Sequence, residues 1–167
     1  MYIQNIFLAV FLFCAVQAFG QSNFKFSPEN PKAGDVITIN YSPAGTIANT
    51  ISPLSAIVYT LGNKGQTVND LDLTKSGNIY TGTVKTDTSE NFVFFSFSVD
   101  KNFDNNSNNG YWIQLYSGDS VKKGADMSLA SYYQFFGRDA GLDADNDKAL
   151  KAMEEEFKLD SEAKKKN

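Results

Sequence analysis

The hydrophobic pattern of this chain is densest between Asn91 and Tyr116. Val93, Phe95, Phe97 and Val99 fall on one parity, and Tyr111, Ile113 and Leu115 repeat it after a polar loop. A period of two is the mark of a strand with a buried face. The two runs therefore read as neighbouring antiparallel strands at the centre of a β-sandwich. The other parity breaks the usual rule that the outward face of a half-exposed strand is polar. Phe92, Phe94, Trp112 and Tyr116 share that face, and what covers them becomes the functional question.

Upstream, shorter runs follow the same period. Phe24 to Ser27 is a first strand ended by Pro28 and Pro31, which suit an edge strand that kinks and crosses because proline cannot donate to a ladder. Ala33-Gly34-Asp35 turns the chain into Val36 to Tyr41, with Ile37, Ile39 and Tyr41 inward. Ser42 to Pro53 is a loop. Ile57, Tyr59 and Leu61 mark a third strand, closed by the turn Gly62-Asn63-Lys64-Gly65. Thr67 to Leu73 reads as an edge strand. Ser76-Gly77-Asn78 then turns into Ile79 to Thr86, where Tyr80, Gly82 and Val84 share a face. About seven short strands with regular turns predict a mainly β fold, an immunoglobulin-like antiparallel sandwich.

After Ser117 the pattern changes. Leu129 to Phe136 gathers Tyr132, Tyr133, Phe135 and Phe136 into one short segment, the leading candidate to fold back over the outward aromatics. From Asp143 the period becomes helical, with Asp145 or Asp147 as cap and Leu150, Met153 and Phe157 at i, i+3, i+7. A single amphipathic helix wants a partner surface. The organisation expected is thus 1–20 as a signal peptide, 21–125 as the sandwich, and 126–167 as an aromatic segment plus a short C-terminal helix.

Composition sharpens this in three ways. Met1 to Gly20 carries no charged side chain, Ile6 to Val16 is almost wholly apolar, and Ala18 and Gly20 have signal-peptidase spacing, which predicts export and a mature start at Gln21. Cys14 follows Phe11-Leu12-Phe13 rather than the small residues of a lipoprotein signal. No later run approaches a membrane span. The address expected is the periplasm or cell envelope, or the medium.

Second, Cys14 is the one cysteine, and the chain has no histidine. A mature chain from Gln21 therefore excludes thiol redox chemistry, Cys or His nucleophile–base pairs, and zinc or copper sites of the usual ligands. Third, 15 basic against 19 acidic residues leave a net charge of −4 without basic clusters, which argues against nucleic acid as a partner.

Candidate chemistry is correspondingly thin. Asp100, Asn102, Asp104 and Asn106 alternate like the early ligands of a calcium loop. Asn105 stands where the loop glycine belongs, however, and Tyr111 where the bidentate Glu belongs. Long hairpin loops use the same residues. Asp143, Asp145 and Asp147 are explained by helix capping. Glu154, Glu155 and Glu156 are consecutive on a helix and point apart. No phosphate loop and no nucleophile elbow are present. The expectation is no enzyme, no cofactor and no metal. Phe92, Phe94, Trp112 and Tyr116 remain as an interaction face for a protein domain, or as a stacking platform for a sugar.

The order of short motifs resembles a known family. Phe24-Lys25-Phe26-Ser27-Pro28, Pro31 and Gly34-Asp35 open the series, followed by Phe103-Asp104-Asn105-Asn106 with Gly110-Tyr111. Val121-Lys122-Lys123-Gly124-Ala125, the tyrosine-rich segment and an acidic helix complete it. Together they resemble the N-terminal, immunoglobulin-like leader of envelope thioredoxin-like proteins of Gram-negative bacteria, over roughly Phe24 to Asp160. The family carries its thiol–disulfide activity in a later domain with a CxxC, which this chain lacks, so no catalytic residue transfers. The resemblance implies an exported, non-catalytic accessory or docking module, either truncated or free-standing, whose last helix begins a helical linker. The alternative is a glycan-binding sandwich using the outward aromatics.

Overall fold

The computed structural model describes residues 23–165. The expected signal segment, 1–20, lies outside the described residues. Eleven strands run in order β1 (Phe24–Ser27), β2 (Val36–Tyr41), β3 (Ser55–Gly62), β4 (Gly65–Asp70), β5 (Thr74–Ser76), β6 (Ile79–Lys85), β7 (Glu90–Val99), β8 (Asn102–Phe103), β9 (Tyr111–Gln114), β10 (Tyr116–Ser117) and β11 (Ser120–Val121). Two helices follow, α1 (Ala125–Gln134) and α2 (Asn146–Lys165), with a 3-10 turn over Phe136–Ala140 between them.

One sheet has the order β1-β2-β6-β5, and the other β4-β3-β7-β8 with β9 also on β7. All these pairings are antiparallel. If the short β8 is set aside, 1-2-6-5 facing 4-3-7-9 is the ABED and C′CFG order of an immunoglobulin-like sandwich. The mainly β fold with a C-terminal helix is therefore observed. β7 is central to its sheet, as its apolar run predicts. β9 instead sits at that sheet's edge, in register Phe92↔Gln114 to Phe95↔Tyr111, and β8 takes the rest of the same edge at Ser98 and Val99.

Between the sheets lies the first core. It holds Phe24, Ile37, Ile39, Tyr41, Val58, Val84, Val93, Phe95, Phe97, Tyr111, Ile113 and Leu115, among others. Phe97 stacks on Tyr41 with ring centres 3.7 Å apart, and Tyr111 meets both rings edge-on. Fully burying one such side chain contributes about 1.5–3 kcal/mol, so a sandwich without a disulfide has enough apolar surface to hold its sheets together. After β1 the chain crosses between sheets: Pro31 accepts from the amide of Tyr116, and Lys32 bridges to the same residue.

The second core lies on the opposite face of β7 and β3. Tyr59, Leu61, Phe92 and Phe94 pack there beneath Leu129, Ala130, Tyr132 and Tyr133 of α1, then Ala140 and Leu142, then Ala149 and Ala152 of α2. Both faces of β7 are thus buried, which explains its unbroken apolar run from Phe92 to Phe95. The helical part and the strands share this core. A division of the chain at residue 125 separates segments of sequence, not separately packed units.

The helical stripe Leu150, Met153, Phe157 requires correction. α2 packs on α1 through Ala149, Ala152, half-buried Met153 and Glu156, whereas Leu150 and Phe157 are 58% and 63% exposed. The physical reason is closeness. Small Ala149 and Ala152 let the helix axes approach over an already bulky aromatic layer, and the larger side chains are turned outward.

Candidate functional site

The four expected interaction residues do not form one platform. Phe92 and Phe94 are fully buried, and the Tyr132 ring lies 5.8 and 4.8 Å from theirs. α1 is the cover, so no ligand can stack on either ring. Trp112 stays half-buried at the rim, its indole N–H donating to the Tyr133 hydroxyl at 3.3 Å. Tyr116 lies beyond Leu115 on β10, paired to β11 instead of to β7. Of the four, Trp112 lines a concave surface.

That surface is a cleft of about 380 Å³ between α1, α2 and the edge of β9. Its apolar wall is Trp112, Leu129, Tyr133 and Ala152, and its polar wall includes Asn106, Asn109, Asp126, Lys148, Lys151 and Glu155. Lys148 bridges Asp145 at 3.2 Å, donates to the carbonyl of Asn108 at 2.8 Å and sits over the Tyr133 ring. Burial pushes the Asp126 carboxyl above the usual range, and the nearby Glu156 and Glu155 add to this, while a 2.6 Å bond from Gln114 opposes it. A mixed aromatic, amide and charged lining of this kind can hold a polar ligand with one flat apolar face.

The loop from Asp100 to Gly110 has a structural task. Asp104 points inward, and one carboxylate oxygen accepts from the Tyr41 hydroxyl at 2.8 Å, the Tyr111 hydroxyl at 2.9 Å and the amide of Ala44 at 3.1 Å. The other accepts from the amide of Asn106. Burial, reinforced by the carboxylate, pushes both phenols far up. A calcium-loop ligand would have to give up these donors. Among the described residues no three Asp or Glu side chains gather as a metal-holding group.

Asn106, Ser107 and Asn108 all take left-handed backbone conformations, which suits the asparagines better than most residues. From there the loop is stitched to the helical hairpin. Asn105 donates to the carbonyl of Gly141, and Asn108 exchanges bonds with Asp143. The run of asparagines that looks like a solvated loop is a seam between two layers.

Two residues that the pattern underrates organise the helices. Glu156 is 5% exposed, and its carboxylate accepts from the amide of Gly124 at 2.7 Å and of Met127 at 3.4 Å. It caps α1 from the middle of α2, satisfying helix-start donors that no nearby side chain reaches. Asp145 caps α2 by accepting from the amide of Lys148 at 3.0 Å, as expected. Gly110 is fixed by a close approach. A Cβ there would fall 1.8 Å from the Tyr132 hydroxyl, and its φ is +69°. That hydroxyl is buried and makes no hydrogen bond of normal geometry among the described residues, although the Tyr111 backbone lies close enough to act on it.

No family model and no curated protein matches this chain. One solved structure with a partial likeness is the uncharacterized protein lmo2446 from Listeria monocytogenes EGD-e, in complex with α-D-glucose, β-D-glucose, magnesium and calcium. The alignment has 16% identity and a TM-score of 0.32, and it covers 56% of this chain and 8% of that one. A likeness of that degree bears on neither fold nor ligand. Among the described residues no helix is long and apolar enough to cross a membrane.

Proposed function

We propose that this chain is an exported, non-catalytic docking module, and that the outer face of α2 receives a helix of another protein domain. One observation carries the reading. Leu150 and Phe157, two helical turns apart on α2, are more than half exposed, while α2 makes its own contacts through Ala149, Ala152 and Glu156. Two large apolar side chains in line on one helix face form the anchor pattern of helix-to-helix docking. The leader-like order of motifs and the absence of cysteine and histidine beyond Cys14 support the same reading.

The test is site-specific photo-crosslinking in the producing cell, with the probe at position 150 or 157 and a control probe at Asp119 in a surface turn. The expected result is adducts from 150 and 157 that map by peptide sequencing to the apolar face of an amphipathic helix. Equal adducts from position 119, or none from the helix, would sink it.

A second reading rests on the cleft. Trp112 with Asn106, Asn109 and Asp126 could bind one saccharide unit at that rim. Titration with mono- and oligosaccharides should then shift Trp112 fluorescence in wild type. In Asn109→Ala the shift should weaken about tenfold, in line with the loss of one ligand hydrogen bond. An unchanged emission spectrum at millimolar sugar removes this reading.

A further inference from the structure

The exposed face of α2 is self-complementary, and we infer that its occupant is a second copy of this chain, docked antiparallel about a two-fold axis. The inference rests on the docking reading above and names its partner. Beside Leu150 and Phe157 runs one rim of charge: Asp147, Lys151, Glu154 and Lys158, all exposed and alternating in sign. At about 100° per residue these four lie within roughly 60° of one another, flanking the apolar pair.

The order of that rim reads the same after reversal with opposite charge. An antiparallel copy centred between Ala152 and Met153 sets Asp147 against Lys158 of the second copy, and Lys151 against its Glu154. Each pair occurs twice, because a two-fold interface uses the same patch on both sides. In that register Leu150 lies about 3 Å along the axis from Phe157 of the second copy, so the two exposed apolar side chains interdigitate. A parallel copy would instead carry the two rims to opposite sides of the contact, where they cannot pair. Lys158 already bridges Glu155 at 2.7 Å within its own helix, so Lys151 and Glu154 are the pair that fixes register.

The patch is small. Specific interfaces below about 1,200 Å² belong to weak, transient complexes, so the dimer should be reversible and concentration-dependent. Burial of Leu150 and Phe157 drives it, and the rim charges choose orientation.

The test is sedimentation of the purified chain from Gln21 onward over a wide concentration range. A reversible monomer–dimer equilibrium is expected. The double variant Leu150→Ser with Phe157→Ser should stay monomeric with an unchanged melting temperature. Lys151→Glu should weaken association about fivefold, as expected for loss of two exposed ion pairs. Adding Glu154→Lys to Lys151→Glu should restore it. The inference is overturned if wild type stays monomeric to millimolar concentration, if the double serine variant still dimerises, or if the charge swap fails to rescue. Crosslinks from 150 to another protein's helix, with a monomeric chain in solution, would leave the docking reading standing and remove only the second copy. No crosslinks and no dimer would remove both.

Discussion

The two cores of this molecule lie on opposite faces of one strand and are built by different rules. The inner core joins sheet to sheet, and its members alternate along every strand that contributes. The outer core joins sheet to helices. Aromatic rings supply its floor, and alanines together with one carboxylate, Glu156, complete the helical cover. Alternation specifies the first because a pleated strand sends every second residue to one side. The second depends on how closely two helices approach a layer of rings, which side-chain size controls as much as polarity.

The largest test of that contrast removes one ring from each side. Phe97→Ala in the inner core and Phe94→Ala in the outer core should each cost about 3–5 kcal/mol, because both are fully buried. Denaturant unfolding measures this directly. A much smaller cost at Phe94 would mean that the helical cover is loosely held.

Next in size is the packing of α2. Ala152→Leu should destabilise by about 1–3 kcal/mol through overpacking, whereas Leu150→Ala on the exposed side should stay within roughly 0.5 kcal/mol. The reverse order in thermal melts would restore the stripe that hydrophobicity alone predicts for this helix.

Asp126 links the outer core to pH. Its carboxyl is raised in the folded protein, chiefly by burial, so ionisation favours the unfolded chain. The sign is opposite to that of a salt-bridged Asp. The stability this group contributes is fully present below the unfolded pKa and is lost as pH rises through the raised folded value. Asp126→Asn should therefore raise the melting temperature at pH 7, and the gain should shrink toward pH 4. A gain that does not vary with pH would assign the effect to something other than ionisation.

The smallest effect belongs to Tyr132. Its hydroxyl is buried without a bond of normal geometry, so Tyr132→Phe should be neutral or stabilising by up to about 1 kcal/mol. A loss of 2 kcal/mol or more in equilibrium unfolding would show that the hydroxyl has a partner.

Much of the architecture is legible in the residues. Ile37, Ile39 and Tyr41, then Val93 to Val99, face inward as their parity predicts, and the turns at Gly62–Gly65 and Ser76–Asn78 fall between the strands they separate. The aromatics on the wrong parity at Phe92 and Phe94 signal a cover, and the tyrosine-rich segment supplies it. The candidate site is less legible. Trp112 is recognisable as an anchor, but the cleft beside it exists only because α1 and α2 lean against the edge of β9.

The sequence by itself determined the class of fold and the two buried faces of β7, since strand period is a local property. Tertiary structure alone decided three other things. It turned Glu156 into the cap of a helix some thirty residues earlier, Asp104 into the anchor of two buried phenols, and Leu150 and Phe157 outward. Each of these depends on groups distant in sequence meeting in a dry interior, where an unsatisfied donor or an ill-fitting side chain is costly. No local pattern records which partner arrives.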